Sequence, residues 1–126
     1  MLGPITAYGF YARNARALTL SNIRLETKDA DLRPAVVLDH VEDVSATGLS
    51  VGADAAVESA LRFIETRQVL LTSPRLLSTT KVFLQIRGSN STEIRLEGGD
   101  VRRAANIFAF RDGATHSAVD SNQTPT

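Results

Sequence analysis

Val44-Ser45-Ala46-Thr47-Gly48-Leu49-Ser50-Val51 decides the fold of this chain. Val44-Ser45-Ala46 alternates apolar and polar, Gly48 interrupts, and Leu49-Ser50-Val51 alternates again. A period of two over so short a run, broken by a residue that tolerates the left-handed conformation, predicts strand, corner, strand. The phrase recurs along the chain. Leu18, Val44, Val69 and Ile94 are spaced by 26, 25 and 25 residues, and Leu20, Ala46, Leu71 and Leu96 keep those intervals, as do Leu25, Val51, Leu76 and Val101. The break between strands holds Asn22, Gly48, Ser73 and Gly98. Gly and Asn suit a sharp corner there, and Ser73, followed by Pro74, is the odd member.

A further strand precedes each phrase, at Phe10–Arg13, Val36–Asp39, Leu61–Ile64 and roughly Phe83–Ile86. Three short strands and three bends per repeat describe one rung of a right-handed single-stranded parallel β-helix, so the expected fold is an all-β solenoid of about four rungs. One rung alone buries too few aliphatic side chains to offset the ordering of its backbone, and stability must come from stacking. A leucine-rich repeat is the alternative, since Leu18-x-Leu20 precedes Asn22, but the linkers Glu26–Arg33 and Gly52–Ser59 show no amphipathic helix. Ile107-Phe108-Ala109-Phe110 is expected to lay a last strand or cap over the last rung. Residues 1–113 thus read as rungs plus cap, and 114–126 as a flexible polar tail.

Composition narrows the function classes. Fourteen basic and fourteen acidic residues leave no net field to attract nucleic acid or anionic lipid. No apolar run has the roughly 20 residues of a membrane span. Cysteine is absent, which excludes thiolate metal sites, cysteine nucleophiles and disulfides. His40 and His116 are far apart and without a nearby ligand set, so neither a metal nor another cofactor is expected. The opening Met1–Thr6 lacks the basic and apolar regions of a signal peptide, and the chain reads as a piece of something longer. Asn90-Ser91-Thr92 and Asn122-Gln123-Thr124 match the glycosylation sequon, a short pattern common by chance. The carboxylates at Asp29 and Asp31, Glu42 and Asp43, and Glu97 and Asp100 lie on polar turns and suggest solvated charge, not paired acid–base chemistry.

Two stretches carry a family likeness: Ala7-Tyr8-Gly9-Phe10-Tyr11-Ala12-Arg13 through Leu18–Leu25, and Arg33-Pro34-Ala35-Val36-Val37-Leu38-Asp39 leading to Val44. They resemble the C-terminal rungs of bacterial proteins similar to the family 28 glycoside hydrolases, the polygalacturonase-like group of pectin lyase-like β-helices. The likeness spans about Tyr8 to Val101 and rests on rung phrases. It implies inverting hydrolysis of galacturonide chains by paired carboxyls roughly 6.5–9.5 Å apart, and an extracellular or periplasmic location. The signatures Asn-Thr-Asp, Asp-Asp, Gly-His-Gly and Arg-Ile-Lys are all missing here, so no catalytic residue is carried over. The chain is therefore expected to be a non-catalytic, carbohydrate-associated end portion of such a protein. The alternatives are part of a hydrolase whose catalytic rungs lie outside this chain, and a purely structural, self-assembling module.

In folds of this class sugars lie along the first-strand face. With Phe10, Val36 and Leu61 inward, the outward column is Tyr11, Val37 and Arg62, followed by Arg13 and Asp39, then Asn14, His40 and Glu65. Tyr11 could stack on a pyranose ring, and Arg13 or Arg62 could grip a uronate carboxylate beside Asp39. The competing expectation is a surface ladder pairing Arg13 with Asp39 and His40 with Glu65. An open first-rung edge at Phe10–Arg13 predicts homo-oligomers joined through that end.

Overall fold

A computed structural model describes residues 7–27 and 31–122. The opening hexapeptide, Asp29 and most of the second sequon lie outside them. The strands are β1 (Phe10–Arg13), β2 (Arg16–Ser21), β3 (Arg24–Leu25), β4 (Val36–Asp39), β5 (Glu42–Thr47), β6 (Ser50–Val51), β7 (Leu61–Ile64), β8 (Arg67–Thr72), β9 (Arg75–Leu76), β10 (Thr80–Arg87), β11 (Thr92–Glu97), β12 (Ala104–Arg111) and β13 (Val119–Asn122). They form three parallel sheets, ordered β1-β4-β7-β10-β12, β2-β5-β8-β11-β13 and β3-β6-β9. The chain is a parallel β-solenoid of about four turns. No helical segment follows the strands as a leucine-rich repeat would require; a single 3-10 turn, His116–Ala118, is the helical element among the described residues.

The register turns the sequence columns into physical stacks. Leu18, Val44, Val69, Ile94 and Val119 are successive partners across the second sheet, and Leu20, Ala46, Leu71 and Leu96 form the next stack. On the first sheet Ala12, Leu38, Phe63, Ile86 and Phe110 align, with Phe63 and Ile86 almost fully buried. Each side chain packs on the equivalent one above and below, about 4.8 Å away. Backbone hydrogen bonds between rungs hold the ladder, such as Arg75 N to Leu49 O at 2.9 Å.

Positive φ angles fall in columns too. Asn22, Gly48, Ser73 and Gly98 take 54°, 68°, 52° and 63°, so Ser73 makes the same corner as the others. A second column joins the first and second sheets: Asn14 52°, His40 56°, Glu65 45°, Gly88 98° and Asp112 54°. A third lies inside the second-sheet strands, at Ala17 58°, Asp43 63°, Gln68 57° and Glu93 55°. There both strands step over one residue at the same place, pairing Arg16 with Glu42 and then Leu18 with Val44, so these residues form a column of stacked kinks that keeps the register. An alanine at positive φ is strained by roughly 1–2 kcal/mol, whereas glycine brings an entropic cost of about 0.5–1 kcal/mol. Ala17→Gly is therefore expected to stabilise the fold by about 0.5–1 kcal/mol, read as a shift of the urea midpoint at unchanged slope.

Two expectations are corrected and a third is narrowed. Leu61 pairs with Leu84, not Phe83, because the bend after Leu76 is shorter than its predecessors and the strand there is longer. Of the two expectations for Ile107–Phe110, a last strand or a cap, the strand is found: it belongs to β12, which continues the first sheet as a further turn. The tail from Ala114 does not leave the body at once; it turns through His116–Ala118 and pairs as β13 along β11 up to Asn122. Val119 stands 25 residues after Ile94 and so extends its column.

Candidate functional site

The outer face of the first sheet and its corner with the second carry the side chains singled out in the sequence. Tyr11, at the edge strand β1, is 42% exposed. Arg13 and Asp39 are register partners across β1 and β4 and form an ion pair at 3.9 Å. Asp39 also meets the neighbouring His40 Nδ1 at 2.5 Å. The expected His40–Glu65 pair is not made; Glu65 instead accepts from Asn90 Nδ2 at 2.6 Å. His40 is engaged within its own rung by Asp39, while Glu65 reaches on to the following rung.

Beneath that corner, hydroxyls satisfy buried backbone. Thr66 Oγ1 donates to Ile64 O at 2.9 Å, and Ser91 Oγ donates to Arg87 O at 2.8 Å. Outside it, Glu42 bridges two guanidiniums, Arg67 at 2.6 Å and Arg16 at 4.0 Å. His40, Glu65, Arg67, Ser89, Asn90 and Thr92 line an open groove of about 500 Å³. Its lining offers hydrogen-bond donors and acceptors at several heights, which suits a ligand rich in hydroxyls.

Arg62 departs from expectation. It is in the outward column, yet its side chain is only 6% exposed. Glu58, from the segment entering β7, folds back over it at 3.2 Å. Val37, also outward, is buried as well but lies outside the main apolar core. Glu58 Oε1 additionally accepts from Arg87 Nη2 at 3.1 Å and from Gln85 Nε2, while Gln85 Oε1 accepts from Arg87 Nε at 2.6 Å. Arg62 is thus not a free surface contact, and no period in the sequence announces Glu58 as its cover. The only trace is their spacing of four residues.

The electrostatics follow the contacts. The Gln85 amide, helped by Arg62 and Arg87, holds the Glu58 carboxyl below its usual range. Burial, with Arg87 adding repulsion, pushes the Arg62 guanidinium down despite Glu58. On the exposed loop before β4, hydrogen bonds from Arg33 hold Asp31 down to about 2. A carboxyl depressed in the folded state stabilises the fold above its unfolded pKa, and that contribution drains away as pH falls through the folded value. The melting temperature is expected to hold from neutral pH to about 5 and to decline below about 4. Glu58→Gln should flatten part of that decline, which calorimetry across the range would show.

Among the described residues no group of His, Asp and Glu is placed to hold a metal ion. No helix of the described chain is long and apolar enough to cross a membrane. Compared with protein-family models, with curated proteins and with solved structures, the chain matches none of them. The fold therefore defines its class, a parallel β-solenoid, and the chemistry of the outer face has to speak for its function.

Proposed function

We propose that this chain is the non-catalytic end portion of a polygalacturonase-like β-helix and contacts uronate-bearing polysaccharide at the corner between its first two sheets. The observation that carries the reading is the polar groove of about 500 Å³ at that corner, continuous through Asp39 and His40 with Arg13. Tyr11, exposed on the same sheet as Arg13, supplies a ring face for a sugar. Arg13 keeps a mostly exposed side chain and a long, 3.9 Å contact with Asp39, leaving guanidinium donors for a ligand carboxylate. Arg62 plays no part in this surface. The test is titration of the chain with galacturonic acid oligomers, followed by amide chemical shifts. Saturable shifts along Arg13, Asp39, His40 and Asn90, weakened several-fold in Tyr11→Ala and Arg13→Ala, are expected. Shifts that are absent, or equal for a neutral galactose oligomer, overturn the reading.

A second reading, self-association through the first rung, is favoured by one observation: β1 and β2 each lie at the end of their sheet order, with β3 likewise at the end of the third. Three strand edges on one rung offer backbone groups for pairing with a second copy. Sedimentation that shows a dimer, weakened by Ala12→Pro in β1, is expected; a monomer at all concentrations contradicts it.

A further inference from the structure

Glu58, Arg62, Gln85 and Arg87 form a cluster on the outer face of the first sheet, apart from the corner groove. Two guanidiniums converge there on a single carboxylate, and all three contacts to it fall on one oxygen, Glu58 Oε1. Arg62 Nε, on a side chain only 6% exposed, has no hydrogen-bond partner. The adjacent Ser59 Oγ is also buried without one. A buried, unpaired N–H on a charged group is costly, and a native fold seldom leaves one without reason. Guanidinium is built to offer Nε and one Nη side by side to the two oxygens of a carboxylate. Glu58 reaches only Nη2, so half of that fork stands unused.

The tethered acid faces solvent on its far side. The Glu58 side chain is 55% exposed, whereas Arg62 and Gln85 are buried. Rotation of Glu58 into solvent needs no movement of β7 or β10, and it uncovers a site carrying two positive charges and a buried amide. The cluster is richer in cation than its internal partner can neutralise, which agrees with the downward push on Arg62 from Arg87.

We infer that Arg62, Gln85 and Arg87 make a masked carboxylate-binding site, in which Glu58 occupies the place of an external carboxylate-bearing ligand. An incoming carboxylate would take both Arg62 Nε and Nη2 and accept from Arg87, the contacts that Glu58 makes only in part. A tethered acid competes at an effective concentration on the order of millimolar or above, so the site in the unaltered chain is weak until Glu58 swings out. The inference is independent of saccharide binding at the corner groove, because its ligand need carry nothing but a carboxylate.

The experiment uses the whole chain and acetate as the probe, with chloride at equal ionic strength as the control, and follows the Arg62 Nε–H signal by NMR. Glu58→Ala is expected to bind acetate saturably and at least tenfold more tightly than the unaltered chain, with little response to chloride. Glu58→Gln keeps the side-chain volume and an acceptor for Gln85, and decides the matter if the alanine variant does not fold. Arg62→Lys in the Glu58→Gln background should abolish the gain, since an ammonium has no fork. Equal acetate response with and without the Glu58 carboxylate, or a response matched by chloride, overturns the inference.

Discussion

Phe63→Ala is expected to destabilise the chain by about 3–5 kcal/mol, a fall in melting temperature of roughly 10–25 °C for a domain of this size. Phe63 is the largest of the fully buried members of the stack Ala12, Leu38, Phe63, Ile86 and Phe110, and it sits in the middle of it. It is 1% exposed, so its truncation opens a void that neighbours cannot fill without leaving register. Because each rung is held by the rungs beside it, a defect at the third turn uncouples the turns on either side. Folding stabilities of this class run to about 5–15 kcal/mol, and the variant should be partly unfolded at physiological temperature. Circular dichroism melts would show it. A loss below about 1 kcal/mol would mean that the interior is not packed as the stacks require.

Gly99→Ala should be nearly as damaging, and its neighbour Gly98→Ala far less so. Both glycines have positive φ, 63° at Gly98 and 83° at Gly99. A Cβ at Gly99 would stand 2.2 Å from Pro74 O and 2.6 Å from Pro74 Cδ, whereas one at Gly98 meets nothing nearer than Ser73 Oγ at 3.7 Å. Pro74 O is fixed because it accepts the Asp100 amide at 2.8 Å, and the proline ring cannot rotate away. Gly98→Ala carries only the left-handed penalty, roughly 1–2 kcal/mol. Gly99→Ala adds a clash with rigid backbone and should cost about 3 kcal/mol or more. Urea unfolding of the two variants side by side would resolve the difference. Equal losses would contradict the close stacking of Gly99 on Pro74.

The interior of this fold is written plainly in the sequence, because parallel stacking with a fixed rung length puts identical demands on residues about 25 apart. The columns from Leu18, Leu20 and Leu25 are visible for that reason, and Val119 continues the first of them just ahead of the polar run Asp120-Ser121-Asn122. Register on the first sheet is harder to read. Ten residues separate Val51 from Leu61 but eight separate Leu76 from Leu84, so a constant spacing would set Ile86 beside Leu61, two residues late. Corners announced by Gly48 or Gly98 are legible, while those at His40, Glu65, Ala17 and Gln68 are not, since these residues adopt left-handed backbone only because the stacked turns impose it. At the candidate site, Arg13 and Asp39 come together as their shared column requires. Alternation places Arg62 on the outer face of the sheet but does not say what covers that face. Its cover, Glu58, comes from an irregular segment with no period to follow.

Cross-hydrogen-bond scalar couplings in the labelled chain test the central claim, that successive turns lie parallel and in register. Couplings are expected from the amide of Ser50 to the carbonyl of Ile23, from Arg75 to Leu49 and from Leu77 to Val51, whose N···O distances are 2.8, 2.9 and 2.8 Å. Each links residues one rung apart in the same direction along the chain. Couplings that instead join these amides to carbonyls four residues earlier, or to partners whose numbers rise as theirs fall, would show helices or antiparallel strands and contradict the stacked-turn account.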